Sequence, residues 1–160
     1  MKKVLIAATL LLSTLSVGQT LNSGDKDLDA TLSKMNTEAK ANLTAFKTDF
    51  TKTYNVTASK IDELMKKGMA ISDVFMTLEI AKITKKPVDS VVKSYEVNKK
   101  KGWGAIAKEM GIKPGSPEFH QLKGNSKTHG KPADKGGKPA KTTTPTKGNG
   151  NGKGNEKSKG

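Results

Sequence analysis

The chain contains no cysteine and no arginine, two histidines, and only one Trp, two Tyr and four Phe in 160 residues. Without cysteine there is no disulfide and no thiolate metal site, so any fold rests on its apolar core alone. Without arginine, all 29 basic residues are lysine, whose compact ammonium is a poor match for bidentate recognition of guanine, phosphate or carboxylate. So few aromatics favour a small helical core over a broad sheet, and no run alternates with period two for long enough to read as a strand. Apolar runs are short as well. The longest spans residues 4–17, below the roughly 20 residues that a bilayer-crossing helix needs.

That run has the form of an export signal. Lys2 and Lys3 precede it, Ser16-Val17-Gly18 puts small residues where a signal peptidase reads, and cleavage before Gln19 is expected. A retained anchor is the alternative reading of the same residues. No cysteine follows the run, so lipidation is not expected. The product is read as exported, periplasmic or extracellular, with no transmembrane span after residues 1–18 are removed.

The formal charge of +14 is unevenly spread. Residues 124–160 hold nine Lys against Asp134 and Glu156, 9 − 2 = +7, together with nine Gly and almost no apolar side chain. A low-complexity segment of this kind cannot offset its ordering entropy by burial, so a disordered basic tail is expected from Gly124 onward.

Between signal and tail, apolar spacing argues an all-α fold. Leu28, Leu32, Met35, Ala39, Leu43, Phe46, Phe50 and Tyr54 form one stripe at steps of 4, 3, 4, 4, 3, 4, 4, which predicts a long helix over residues 25–53 within a segment 19–55. The repeat of 11 rather than 7 favours packing within the chain over a two-stranded coiled coil, with self-association as the alternative. Residues 56–123 then read as a compact helical domain. A short helix carries Ile61, Leu64 and Met65 and ends at Gly68; a third is capped by Ser72; a fourth opens at Pro87 and turns Val88, Val91, Val92 and Tyr95 inward. A fifth runs from Trp103 to Met110 and stops at Gly111, and Ser116-Pro117 opens a last turn or two through Phe119 and Leu122. Apolar positions of residues 71–80 and 103–112 coincide, each after a Lys-rich turn and a glycine, which suggests a duplicated helical hairpin; chance matching of helix positions is the alternative.

Catalytic constellations are hard to find. His120 has no Ser or Cys partner motif and reads as a helix-surface residue, while His129 falls in the expected tail. There is no His-x-x-x-His pair and no complete EF-hand loop, so no metal and no cofactor are expected. Asp25, Asp27 and Asp29 suit a helix N-terminus, and Asp62 and Glu63 stand four residues before Lys66 and Lys67, where helix pairs form. The chain is not expected to be an enzyme.

The segment Gly102-Trp103-Gly104 stands out, since glycines flanking a lone Trp permit close backbone approach on both sides. Trp103 is read as a structural anchor with Gly102, Gly104 and Gly111, its indole N–H meeting a carbonyl at the end of the fourth helix; an exposed ligand platform is the alternative. Residues 102–119, Gly-Trp-Gly-Ala-Ile-Ala-Lys-Glu-Met-Gly-Ile-Lys-Pro-Gly-Ser-Pro-Glu-Phe, resemble a motif of small, exported, functionally uncharacterised bacterial helical proteins. That resemblance implies a compact helical domain over about 56–123 and no activity. A weaker local similarity to helix-turn-helix proteins rests on Ala107, Gly111 and Ile112, but Pro117-Glu118 puts an acid where the recognition helix would meet DNA.

The reading that results is an exported interaction or adaptor protein of the cell envelope, whose lysines make loose contacts with polyanions. Candidate anion-binding residues are Lys99, Lys100, Lys101, Lys127, Lys131, Lys135, Lys138 and Lys141. The expected partners are an anionic envelope polymer or a protein, with nucleic acid bound only nonspecifically. Alternatives are a helical protein- or peptide-binding module with a merely solubilising tail, and a helix-turn-helix-like DNA binder.

Overall fold

The structure is a computed structural model that describes residues 21–131. The export-signal residues 1–18 and the greater part of the expected tail, including Lys135, Lys138 and Lys141, lie outside it. Six α-helices follow in order: α1 Lys26–Tyr54, α2 Ala58–Lys66, α3 Ile71–Thr84, α4 Val88–Asn98, α5 Trp103–Met110 and α6 Pro117–His129. A 3-10 turn, Lys99–Lys101, joins α4 to α5. The described residues contain no strand, and none of their helices is long and apolar enough to cross a membrane.

The long helix forms as its spacing predicts. Asp25 caps it, its carboxylate accepting the Leu28 N–H at 2.9 Å, and Asn55 closes it in the left-handed region at φ 52°. Leu28, Leu32, Met35, Ala39, Phe46 and Phe50 are buried, and Leu43 and Tyr54 pack on the core's margin. The stripe gives no hint of a break at Asn42, where φ −127° and ψ 27° depart from the helix. The Asn42 side chain donates back to the Glu38 carbonyl at 3.4 Å, a local bond that competes with the backbone ladder and bends helices.

α3 is the axis of the molecule. Each of the other five helices packs against it, and residues 71–81 are buried without interruption. A helix enclosed on all sides must be compatible with burial on every face. Ile71, Val74, Phe75, Met76, Leu78 and Ile80 meet that demand directly, whereas Ser72, Asp73, Thr77 and Glu79 are buried polar residues. Ser72 is not the cap. Ala70 occupies that position, and Asp73 accepts the Ala70 N–H at 3.0 Å from within the first turn.

The proposed internal copies share helix order, and Ile71, Val74, Leu78 and Ile80 are buried as are Trp103, Ile106, Met110 and Ile112. They diverge at the tenth position. Ile80 lies inside α3, while Gly111, at φ 105°, has already ended α5 before Ile112. The last helix is much longer than one or two turns. Residues 124–129, which the sequence assigns to the tail, form the second half of α6, where Ser126 is fully buried and Asn125 donates to Glu79 at 2.6 Å.

Candidate functional site: the Gly-Trp-Gly seat and the lysine turn

Trp103 opens α5 and is fully buried. Its indole N–H donates to Asp73 Oδ1 at 2.8 Å rather than to a carbonyl at the end of α4. The other oxygen of Asp73 accepts the Ala70 N–H at 3.0 Å and the Tyr95 hydroxyl at 3.3 Å. Tyr95 also lies alongside the indole, with ring centroids 5.3 Å apart. Burial pushes the Asp73 carboxyl above its ordinary value, against the opposing pull of the hydrogen bonds from Trp103, Ala70 and Tyr95. With only 3% of its surface exposed, Asp73 faces Trp103, Tyr95 and Ala70 rather than solvent. Sequence reasoning missed it because an acid in a helix reads as a surface residue. The available signal was the apolar character of α3 on every face, which obliges the acids within it to be buried.

The two glycines have a specific occupant. Residues 21–23 lie across them, the Trp103 N–H donating to Leu21 O at 3.1 Å and the Gly104 N–H to Asn22 O at 3.0 Å. The Asn22 side chain donates to Lys101 O at 3.3 Å. A Cβ at Gly102 would stand 2.5 Å from Asn22 Cβ, and one at Gly104 would stand 2.8 Å from Ser23 O. Gly102 also takes φ 90°, which L side chains rarely adopt. The motif is therefore a seat for the segment that leads into α1. Ser23 N–H is in turn held by Asp29 Oδ1 at 2.8 Å. Gly111 serves a different purpose, since a Cβ there would meet nothing within 4 Å and only its positive φ calls for glycine.

Directly before the seat, Lys99, Lys100 and Lys101 stand exposed in one 3-10 turn. None of them takes part in an ion pair among the described residues. Five lysines elsewhere do: Lys34 pairs with Glu38, Lys47 with Asp62, Lys60 with Glu63 and Asp89, Lys67 with Glu96, and Lys123 with Asp25 and Asp27. Asp62 thus reaches across to α1 and Lys67 to α4, instead of forming the pairs within α2 that their spacing suggests. Beside the turn an open hollow of about 560 Å³ is lined by Asn98, Lys101, Ala105, Lys108 and Glu109. Its one acid is engaged, Glu109 Oε2 accepting from Ser94 Oγ at 2.7 Å and Asn98 Nδ2 at 2.6 Å.

The remaining candidate lysines are not gathered here. Lys127 and Lys131 are exposed on and just after α6, which packs on α1 and α3 and not on α4 or α5. His120 is exposed, and His129, placed in the tail by sequence, sits in α6 with Nδ1 2.8 Å from Asp49 Oδ2. Among the described residues no group of three His, Cys, Asp or Glu converges as a metal site would require. Residues 111–116 connect α5 to α6, a longer link than the three- or four-residue turn of a helix-turn-helix unit. No protein-family model matches the chain, and no curated protein or solved structure matches it either.

Proposed function

We propose that the protein is an exported, non-enzymatic contact protein of the cell envelope that holds polyanions through its lysines. One observation carries this reading: three consecutive lysines, Lys99, Lys100 and Lys101, stand exposed in one turn with no ion pair among the described residues. The Gly-Trp-Gly seat and the buried Asp73 fix the base of that turn, so three ammonium groups are offered from a defined place. Lysine charge of this kind attracts anionic polymers loosely and over a range that shortens with salt. The Lys- and Gly-rich residues after α6 add charge of the same sign. Nucleic acid would be held only by its phosphates, since there is no arginine to read bases and Glu118 stands exposed in the first turn of α6.

Heparin chromatography tests the reading on three chains: residues 19–160, residues 19–131, and residues 19–160 with Lys99, Lys100 and Lys101 all changed to Gln. Both altered chains are expected to elute at lower salt than the parent. Equal elution of all three would remove the basis for a lysine-borne contact.

A further inference from the structure

A groove opens at the end of α4 opposite the lysine turn, separated from it by the roughly 16 Å length of an eleven-residue helix. The ends of α1 and α3 and the beginning of α4 form it, with Tyr54, Val56, Leu78, Ala81 and Val88 as its apolar surface. Its remaining lining residues are Lys82, Lys85 and Lys86, and no acidic side chain lines it.

Each lysine is placed by a separate constraint. Lys82 Nζ lies 5.3 Å from the centroid of the Tyr54 ring, a ring held in position by the bond from its hydroxyl to the buried Glu79 at 2.7 Å. Lys85 takes the left-handed conformation that ends α3, its N–H bonded to Ala81 O. Lys86 Nζ donates to Met110 O at 2.9 Å and so is tethered. None of the three has a carboxylate partner among the described residues.

The groove has a volume of about 260 Å³ and a wide mouth. It lies below the roughly 300–1,000 Å³ of pockets that bury a drug-sized ligand, and its openness would leave such a ligand largely in water. One branched aliphatic side chain fits better, with its neighbours along an extended backbone remaining at the rim. At that rim every charge is positive, and mobile ammonium groups suit carboxylates of varied geometry.

From this combination we infer that the groove docks an acidic peptide segment of a partner protein, an aliphatic side chain entering between Val56, Ala81 and Val88 and flanking carboxylates meeting Lys82 and Lys85. Apolar burial supplies the anchor and the lysines select against basic or neutral sequences. This surface is distinct from the polyanion-contact turn, and either could fail without the other.

The test uses the nitrogen-15-labelled chain of residues 19–160 and the probe peptide acetyl-Glu-Asp-Leu-Asp-Glu-amide. Amide shifts are expected at Val56, Ala81, Lys85 and Val88, with affinity falling about tenfold in the Lys82→Glu, Lys85→Glu double variant. A probe with Ser in place of Leu is expected to lose the shifts at Ala81 and Val88. If charge reversal disturbs folding, Lys82→Gln with Lys85→Gln replaces it, and the same loss is expected at smaller amplitude. Equal binding of the Ser peptide, shifts centred on Lys99–Lys101, or occupancy of the groove by dodecanoate but not by the peptide would each overturn the assignment.

Discussion

Gly104, inside α5, and Gly111, which ends it, separate two reasons for glycine. Gly104→Ala drives a Cβ to 2.8 Å from the Ser23 carbonyl oxygen, so either α5 or residues 21–23 must move. A cost of about 1–3 kcal/mol is expected, the range for overpacking a closely fitted site, together with faster hydrogen exchange at the Trp103 and Gly104 amides. Gly111→Ala meets no atom and should cost only about 1–2 kcal/mol from its left-handed backbone, without altering exchange at the seat. Trp103→Ala empties the largest fully buried side chain and should cost about 3–5 kcal/mol in a urea melt. Asp73 gives a pH signature. Its folded carboxyl holds its proton more tightly than an ordinary Asp at 3.8, so its stabilising contribution is present below that value and is lost as pH rises through the raised one. The stability of the parent minus that of Asp73→Asn should therefore fall as pH rises above about 3.8; a difference that grew with pH would show the wrong sign. The anchoring of Trp103 was legible from its two glycines. Its partner was not, because Asp73 lies 30 residues earlier and helix periodicity carries no information about which buried side chains meet.

At the scale of elements, α6 departs most from what composition suggests. Gly124 begins a polar, lysine-rich stretch, yet helix continues to His129 because three polar contacts and a few buried groups tie it down. Asn125 donates to the buried Glu79, His129 meets Asp49, and Lys123 pairs with Asp25 and Asp27 near the start of α1. Composition averages over a window and cannot register single bonds to residues 46 or 80 positions away. A chain ending at Lys123 should consequently unfold at lower urea than one ending at Lys131. Removing Asn125 leaves Glu79 with the Tyr54 hydroxyl at 2.7 Å as its remaining side-chain donor, a loss of about 1–3 kcal/mol. Asn125→Ala in the longer chain should account for a large part of the difference. Identical midpoints for the two truncated chains would mean that the second half of α6 contributes nothing to the fold. By contrast α1 and α5 were legible almost to the residue, since a long regular stripe and a helix bounded by glycines are local signals.

For the whole molecule, the arrangement around α3 determines what the surface can do. Enclosing that helix with five others consumes most of the apolar side chains, and Val97 is the one large hydrophobic residue standing exposed among those described. What remains outside is mainly charge, and five of the lysines among the described residues are held in ion pairs, most of which join neighbouring helices. Sequence revealed the positive excess but not its division into paired and unpaired lysines, because pairing depends on which helices become neighbours. The turn Lys99–Lys101 presents three consecutive lysines from a fixed base, and it is the centre of the functional account. The most direct measurement is the salt dependence of heparin affinity for residues 19–160, with and without Lys99→Gln, Lys100→Gln and Lys101→Gln. Each lost contact removes about one released counterion, so the log–log slope should fall by about two to three. An unchanged slope, with affinity preserved, would contradict the account.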